Sequence, residues 1–178
     1  MSQPKALVLI AAGFEEIEAV TIIDVLRRAK VDVFVAGLES GLIEGAHGIT
    51  LQVDGSLESL PYDRAHIDLV VLPGGMPGAQ TLHDDPRVAD LLRAVAGKGA
   101  YVAAICAAPI ALVPAGLAEG RSLTCYPGFE ARLPGAKVRE DRVVIDDHLI
   151  TSRGPGTALE FSLSLVSLLC SPDLANEL

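Results

Sequence analysis

One of the three cysteines, Cys106, lies where a predicted buried strand gives way to a predicted helix. The residues two before and two after it are Ala104 and Ala108, and a nucleophile elbow requires small side chains at those positions. At such a turn, main-chain N–H groups and the helix dipole stabilise a thiolate. The pattern is typical of a reactive thiol, but a cysteine among alanines in an apolar run is more often an inert core residue, and periodicity alone favours the inert interpretation.

Two other predicted strand ends carry residues that complete a site of this kind. Gly74 and Gly75 end the third predicted strand, and glycines let main-chain N–H groups turn toward an oxyanion. An ordinary turn is the alternative interpretation. Glu15, Glu16 and Glu18 lie at the start of the first predicted helix, where acids favour the helix dipole. For at least two of these three acids we expect only a solvated surface role.

Apolar runs that alternate with helical periodicity predict a mostly parallel α/β sheet covered by helices on both faces. In such sheets ligands bind at the carboxyl ends of the strands, which is where the residues above are found. Thr157 and Glu160 predict a capping box for the last long helix. The predicted strands are 5–11, 31–37, 68–72, 101–105 and 122–125, the hairpins 40–60 and 138–145 with 149–152, and the helices 15–30, 86–98 and 158–169.

Length, charge and cysteine count bound the class of protein. With 178 residues, half of them hydrophobic, residues 1–178 are predicted to form a single domain. The net charge of −9 argues against binding to nucleic acid or to an anionic membrane. Three cysteines without ligand spacing predict no disulfide and no metal, and nothing indicates another cofactor.

The longest uncharged stretch, residues 99–118, raises the question of a membrane span. Pro109, Pro114 and Gly116 interrupt it, so it is better interpreted as a buried strand followed by a buried helix. The first residues do not have the pattern of a signal peptide. We therefore expect a cytoplasmic protein.

Four segments together resemble the ThiJ/PfpI superfamily: GFEEIE at 13–18, VLPGG at 71–75, AAICAAP at 103–109 and TSRGPGT at 151–157. The nearest branch is the parkinsonism-associated DJ-one branch with its bacterial relatives, and the likeness extends from about residue 6 to 169. The resemblance implies a flavodoxin-like three-layer α/β sandwich with a nucleophile elbow, assembled as a homodimer. It also favours the reactive interpretation of Cys106 over the inert one.

The resemblance assigns roles to the candidate site residues. Cys106 matches the oxidation-prone thiol of the family, and Glu18 matches the acid whose carboxyl group hydrogen-bonds it. Gly75 and Ala107 match the positions whose main-chain amides form an oxyanion pocket. Three residues are expected to support the site, with Arg153 at the pocket rim or against a dimer partner: Gly74, Tyr126 and Arg153.

The family resemblance leaves more than one function open. It implies a cysteine-dependent enzyme acting on reactive dicarbonyls or glycated adducts, of the glyoxalase or deglycase type. The alternative is a non-enzymatic redox sensor or protective factor that acts through oxidation of Cys106 to a sulfinate. An amidase- or hydratase-type relative that uses the same thiol is a third interpretation.

The four histidines do not match the family positions for a histidine beside the nucleophile. Ala107 and Tyr126 stand at those positions, so no Cys–His dyad is predicted and acyl-transfer chemistry lacks its usual base. This departure slightly favours the sensor over the enzyme. His148 is expected at the tip of a hairpin, and the other histidines at the surface or in loops.

Electrostatics add one prediction that is independent of the resemblance. An ionised Glu18 beside Cys106 would raise the thiol pKa by like-charge repulsion, so a thiolate needs Glu18 protonated, and burial of Glu18 would promote this. Cys125 is either a resolving thiol for oxidised Cys106 or a buried small apolar residue.

Overall fold

A seven-stranded sheet forms the centre of the molecule in a computed structural model that describes residues 3–61, 63 and 66–178. The strands are β1 (Lys5–Ile10), β2 (Asp32–Gly37), β3 (Leu42–Glu44), β4 (Thr50–Gln52), β5 (Gly55–Ser56), β6 (Leu69–Leu72), β7 (Tyr101–Ile105), β8 (Ser122–Leu123), β9 (Lys137–Val138), β10 (Val143–Asp146) and β11 (Leu149–Ser152). The α-helices are α1 (Glu16–Arg28), α2 (Gly78–Asp84), α3 (Pro86–Ala96), α4 (Ala158–Leu169) and α5 (Pro172–Glu177).

The central sheet has the order β10-β11-β7-β6-β1-β2-β5, and only β10 runs antiparallel to its neighbour. Across this strand order, the step from β1 to β2 goes toward one edge of the sheet, and the step from β6 to β7 goes toward the other edge. Because both crossovers are right-handed, α1 covers one face and α3 covers the other. Helix α4 packs against α1. The flavodoxin-like sandwich predicted from the sequence is confirmed.

The reversal of direction places the β1 and β6 ends side by side, and β7 follows directly. Val8 pairs with Val71, and Leu72 pairs with Ala104, so the three strands end at nearly the same level. The strands are continuous apolar runs because helices cover both faces, which leaves no polar face. In open parallel sheets such a switch point forms a crevice, and residues after these three strands are brought together there.

Two predicted elements of the second half are wrong in their pairing. Residues 122–125 do not form a strand of the central sheet, because only Ser122–Leu123 is extended and it pairs in parallel with Lys137–Val138 in a separate small sheet. The second hairpin consists of β10 and β11 alone, with His148 in the turn between them as expected. The predicted 40–60 excursion contains the hairpin β3–β4, and β5 extends the central sheet.

Two predictions about helices also need correction. The capping box of α4 does not form, because the Thr157 hydroxyl donates to the Gly154 carbonyl at 2.9 Å and Glu160 pairs with Arg142 at 2.6 Å. The uncharged stretch 99–118 contains the expected buried strand, β7, but the buried helix after the elbow is only a short 3₁₀ helix, Ala108–Leu112. Helix α2 was not predicted. None of the described helices has the length and apolar character needed to cross a bilayer.

Candidate active site

Cys106 occupies a strained turn directly after β7. Its φ of 65° lies in the left-handed region that L residues rarely adopt, at a cost of about 1–3 kcal/mol. Main-chain hydrogen bonds hold this turn on both sides: the Cys106 N–H donates to the Ser152 carbonyl at 2.9 Å, and the Tyr126 N–H donates to the Cys106 carbonyl at 2.8 Å. The side chain is only 8% exposed. This geometry is a nucleophile elbow.

The electrostatic support for the thiol differs from the prediction. A short 3₁₀ helix follows the elbow, so the dipole of a long α-helix is not available. The amides of Gly75 and Ala107 hydrogen-bond the sulfur and lower its pKa. Burial and the nearby Glu18 carboxyl outweigh them and raise the pKa of Cys106 to about 12.

Glu18 projects from α1 into the same space and is completely buried. Its Oε2 atom accepts a hydrogen bond from the Gly74 N–H at 2.7 Å. Its Oε1 atom has no donor among the described residues, so that oxygen is available to a thiol or a bound molecule. Burial raises the pKa of Glu18 to about 7, and the charge of Glu15 adds to this effect, whereas the Gly74 N–H and Cys106 lower it.

The two side chains therefore form a coupled pair that resists a double negative charge. Burial raises both pKa values, and the Glu18 carboxyl group raises that of Cys106 further, whereas the hydrogen bond from the Cys106 thiol lowers that of Glu18. The thiolate is favoured only while the carboxyl group keeps a proton. The prediction that burial would raise the pKa of Glu18 is confirmed.

The raised pKa of Glu18 makes the stability of the folded protein depend on pH. Its folded-state pKa of about 7 lies above the ordinary value of 4.5, so its favourable contribution is complete below 4.5 and is lost as the pH rises through 7. Glu18→Gln removes this titration. Relative to the wild type, we expect the free energy of unfolding of the variant to be about 3 kcal/mol higher at pH 8 than at pH 4. Urea unfolding at both pH values measures the gain, and an identical difference at the two pH values would contradict it.

Gly74 and Gly75 allow β6 to approach both the thiol and α1. A Cβ atom on Gly74 would lie 2.5 Å from the Cys106 Cβ and 2.8 Å from the Glu18 Oε2. Gly75 has a φ of 89°, and its Cβ would lie 2.3 Å from the Glu15 nitrogen. The glycines are required by this packing and do more than form an ordinary turn.

Gly75→Ala is therefore expected to destabilise the protein by about 2–4 kcal/mol, because left-handed strain and a backbone clash act together. Thermal and urea unfolding measure the loss. Gly48→Ala is a matched control, since Gly48 has a φ of 82° but no atom within 4 Å of its added Cβ. Equal losses for the two variants would show that the close packing at Gly75 contributes nothing.

The acids at the start of α1 are buried, which corrects the expectation that at least two of them are solvated. Glu16 accepts hydrogen bonds from the N–H groups of His47 at 2.6 Å and Ile49 at 3.3 Å, and it lies 3.0 Å from the His47 ring. These bonds hold the pKa of Glu16 at about 2 despite the opposing effect of burial. Glu16 thus anchors the β3–β4 hairpin to α1.

Glu15, Glu16 and His47 are the residues, within the described part of the chain, whose spacing suits a metal ion, with ligand atoms within 4.8 Å of one another. The oxygens of Glu16 are already used by two N–H groups and an imidazole. The arrangement is explained by the anchoring of the hairpin. His47 itself has its pKa raised by its hydrogen bond to Glu16 and by the charge of Glu15.

The remaining candidate residues lie at different distances from the thiol. The Tyr126 ring is 45% exposed and borders the site beside Gly154. Arg153 is half-buried; its N–H donates to the Arg142 carbonyl at 3.2 Å, and its charge lowers the pKa of Cys125. The structure therefore relates Arg153 to Cys125 and not to Cys106.

The other two cysteines differ from Cys106 in their surroundings. Cys125 is completely buried, and burial raises its pKa to about 11, which favours the interpretation as a small apolar residue. Cys170 is exposed. All three cysteines are free. None of the four histidines, all of which are described, affects the pKa of Cys106.

Sequence reasoning missed the part played by Gly154. A Cβ at this position would lie 3.9 Å from the Cys106 Sγ and 3.0 Å from the Tyr126 ring, so glycine keeps the space above the thiol open. The Ser152 and Thr157 hydroxyls, 2.6 Å apart, fix the loop, and Thr157 donates to the Gly154 carbonyl. The TSRGPGT segment, which carries part of the family resemblance, is the signal in the sequence that could have pointed to this role.

Fold and site together define a flavodoxin-like α/β protein with a cysteine at a nucleophile elbow and a buried carboxyl group beside it. Comparison with known proteins identifies the family within this class. The family model "DJ-1/PfpI family" matches residues 4–168, and the chain belongs to this family. The ThiJ/PfpI resemblance and its DJ-1 branch are confirmed.

Individual relatives match over nearly the whole chain. The Drosophila melanogaster protein dj-1beta is 42% identical over 175 residues, covering 97% of this chain and 92% of the relative. Its crystal structure superposes with a TM-score of 0.94 at 41% identity, covering 99% of this chain and 95% of that chain. A Caenorhabditis elegans relative, the glutathione-independent glyoxalase DJR-1.2, is 35% identical over 180 residues, covering 99% of this chain and 95% of the relative.

A third relative was solved in an oxidised form. The structure of oxidised DJ-1 from Toxoplasma gondii has a TM-score of 0.91 at 35% identity, covering 98% of this chain and 95% of that chain. These similarities place the protein among DJ-1-like proteins, one of which is a glyoxalase.

Proposed function

We propose that the protein is a glutathione-independent glyoxalase that uses Cys106 to convert small dicarbonyls into 2-hydroxy acids. The observation that carries the proposal is the convergence on one sulfur of a buried carboxyl group, Glu18, and two main-chain amides, those of Gly75 and Ala107. The C. elegans relative named as a glyoxalase supports the same chemistry. A protein thiol that adds to the aldehyde replaces the thiol of glutathione.

In the first step the Cys106 thiolate attacks the aldehyde carbon of methylglyoxal. A C–S bond forms while the carbonyl π electrons move to oxygen. The N–H groups of Gly75 and Ala107 stabilise the developing oxyanion. The Glu18 carboxyl group donates its proton to that oxygen, which gives a neutral hemithioacetal.

In the second step Glu18, now ionised, takes the proton from the former aldehyde carbon and gives it to the ketone oxygen, which forms an enediol. The hydroxyl proton on the former aldehyde carbon then passes through Glu18 to the neighbouring carbon. The aldehyde carbon is thereby oxidised to a thioester and the ketone is reduced to an alcohol, so no external oxidant or reductant is needed. Water then cleaves the C–S bond, which releases lactate and restores the Cys106 thiol. Glycated adducts that retain such a hemithioacetal carbon are the corresponding deglycase substrates.

The proposal is tested by incubating the purified protein with methylglyoxal in the absence of glutathione. We expect methylglyoxal to disappear and lactate to appear in equal amounts, with buffer alone as the control. Loss of methylglyoxal without lactate would mean that the protein is merely modified by the reagent. That result would contradict the proposed function.

A redox function of the same thiol is the second candidate. Two equivalents of peroxide convert a thiolate to a sulfinate and release water, and the sulfinate oxygens can accept hydrogen bonds from the Gly75 and Ala107 amides and a protonated Glu18. The raised pKa of Glu18 favours this arrangement. Such a protein would act as a cytosolic stress sensor, and its three free cysteines suit a reducing compartment.

We also propose a homodimer formed through an apolar surface patch consisting of Ile17, Val20 and Ile49. Ile17 and Val20 lie on α1, Ile49 hydrogen-bonds Glu16 at the start of that helix, and all three side chains are exposed. A cluster of large apolar side chains at one place on a surface is typical of a protein–protein interface.

Val20→Glu is expected to convert the dimer into a monomer, because it introduces a charge into the patch. Sedimentation velocity measures the change in mass. Ile145→Glu, which replaces a similarly exposed residue on the opposite edge of the sheet, is expected to leave the dimer intact. A monomeric wild-type protein would contradict the proposal.

A further inference from the structure

The Tyr126 side chain forms a wall of the space above the reactive sulfur. A single Cβ-sized atom on Gly154 would lie 3.9 Å from the Cys106 Sγ, 3.0 Å from the Tyr126 Cδ2 and 3.4 Å from its Cε2. The sulfur and the ring therefore border the same small gap. The Tyr126 N–H also donates to the Cys106 carbonyl at 2.8 Å, which links the positions of the two residues.

Neighbouring side chains hold the ring in place. Phe129 packs edge-on against it, with ring centroids 6.5 Å apart at an interplanar angle of 76°. The Arg132 guanidinium lies 6.0 Å from the Phe129 centroid and donates to Gln80 on α2 at 2.7 Å. Because Phe129 and the hydrogen bond from Arg132 to Gln80 restrict the ring, Tyr126 loses little side-chain conformational entropy when a ligand packs against it.

A second exposed apolar residue follows the glycines of the oxyanion pocket in the sequence. Met76 follows Gly75 directly, whose amide contacts the Cys106 sulfur, and it is 44% exposed. Tyr126, which borders the site beside Gly154, is 45% exposed.

From this geometry we propose that Tyr126 is a specificity-determining residue that selects dicarbonyls with an aromatic substituent over those with a methyl group. Selection between substrates during catalysis rests on the proposed function, whereas the binding preference does not. An aromatic substituent gains an edge-to-face or stacked contact with the ring, and a methyl group does not. The phenol hydroxyl plays no part in this selection.

The test first measures binding, which does not depend on turnover. Iodoacetamide alkylates Cys106, and peptide mass spectrometry follows the rate, with exposed Cys170 as an internal reference. Two uncharged, unreactive ketones serve as probes: 2-hydroxyacetophenone carries a phenyl group where hydroxyacetone carries a methyl group. We expect the phenyl ketone to protect Cys106 at a lower concentration than the methyl ketone. Tyr126→Leu is expected to reduce this advantage about three- to tenfold, whereas Tyr126→Phe keeps it.

Turnover then separates this inference from the proposed function. With phenylglyoxal and methylglyoxal as substrates, Tyr126→Leu is expected to lower kcat/KM for phenylglyoxal about three- to tenfold more than kcat/KM for methylglyoxal. If neither dicarbonyl is consumed but the phenyl advantage in protection depends on the ring, the proposed function fails and the aromatic subsite stands. An equal protection by both ketones, or an advantage that survives Tyr126→Leu, would overturn the inference.

Discussion

Cys106→Ser is expected to lower the rate of lactate formation from methylglyoxal by about 10³-fold or more. The reason is that a serine hydroxyl is a far weaker acid than a thiol and needs a strong neighbouring base to attack a carbonyl. No histidine contributes to this site among the residues that the structure describes, and Glu18 is needed as the acid. The measurement is the initial rate of lactate formation, compared with the rate in buffer.

Cys170→Ser and Cys125→Ser are the matched controls for this substitution. Cys170 is exposed and Cys125 is buried, with its pKa raised by its surroundings, so neither is expected to change the rate more than about twofold. A Cys106→Ser protein that keeps more than about a tenth of the wild-type rate would contradict the assignment of Cys106 as the nucleophile.

Glu18→Gln is expected to lower the same rate by about 10²–10⁴-fold, the usual loss when a general acid–base group is removed. Glutamine keeps the size of the side chain and can accept the hydrogen bond from the Gly74 N–H, but it cannot exchange a proton with the substrate. The loss should appear in kcat, since the proton transfers occur after binding. Retention of the stability gain above pH 7 would show that the inactive variant is folded.

Glu16→Gln provides the control for Glu18. Both carboxyl groups are buried on α1, but Glu16 binds the hairpin N–H groups of His47 and Ile49 and does not contact the thiol. We expect Glu16→Gln to affect stability and to leave kcat within a few-fold of the wild type. Equal losses of kcat for the two variants would contradict the specific role of Glu18.

The redox alternative makes a related prediction for Glu18. Glu18→Ala removes the proton donor to a sulfinate oxygen, so less stable sulfinate should accumulate at Cys106 after mild peroxide treatment. Mass spectrometry of the Cys106 peptide, with Cys170 as an internal reference for oxidation, measures the difference. Equal sulfinate in the wild type and the variant would show that Glu18 does not stabilise this state.

Much of the fold could be predicted because buried parallel strands are short continuous apolar runs. β1 and β7 were located to within about one residue, and the right-handed crossovers then placed the elbow at the crevice. The small sheet of Ser122–Leu123 with Lys137–Val138 could not be predicted in this way. Apolar periodicity does not specify the partner of a two-residue strand.

The acids of α1 illustrate the limit for the site. Three glutamates at the start of a helix have the pattern of solvated acids that favour the helix dipole, yet all three are buried. Their partners are distant in sequence: Gly74 for Glu18, and His47 with Ile49 for Glu16. Only the tertiary fold shows that these N–H groups are available, and the family resemblance alone distinguished Glu18 from its neighbours.

One measurement tests the central claim most directly: lactate formation from carbon-13-labelled methylglyoxal, followed by NMR without glutathione, for the wild type and Cys106→Ser in parallel. The account predicts labelled lactate from the wild type and none above the buffer rate from the variant. Labelled lactate at equal rates from both proteins, or from neither, would contradict the claim that Cys106, Glu18 and the Gly75 and Ala107 amides form a glyoxalase site.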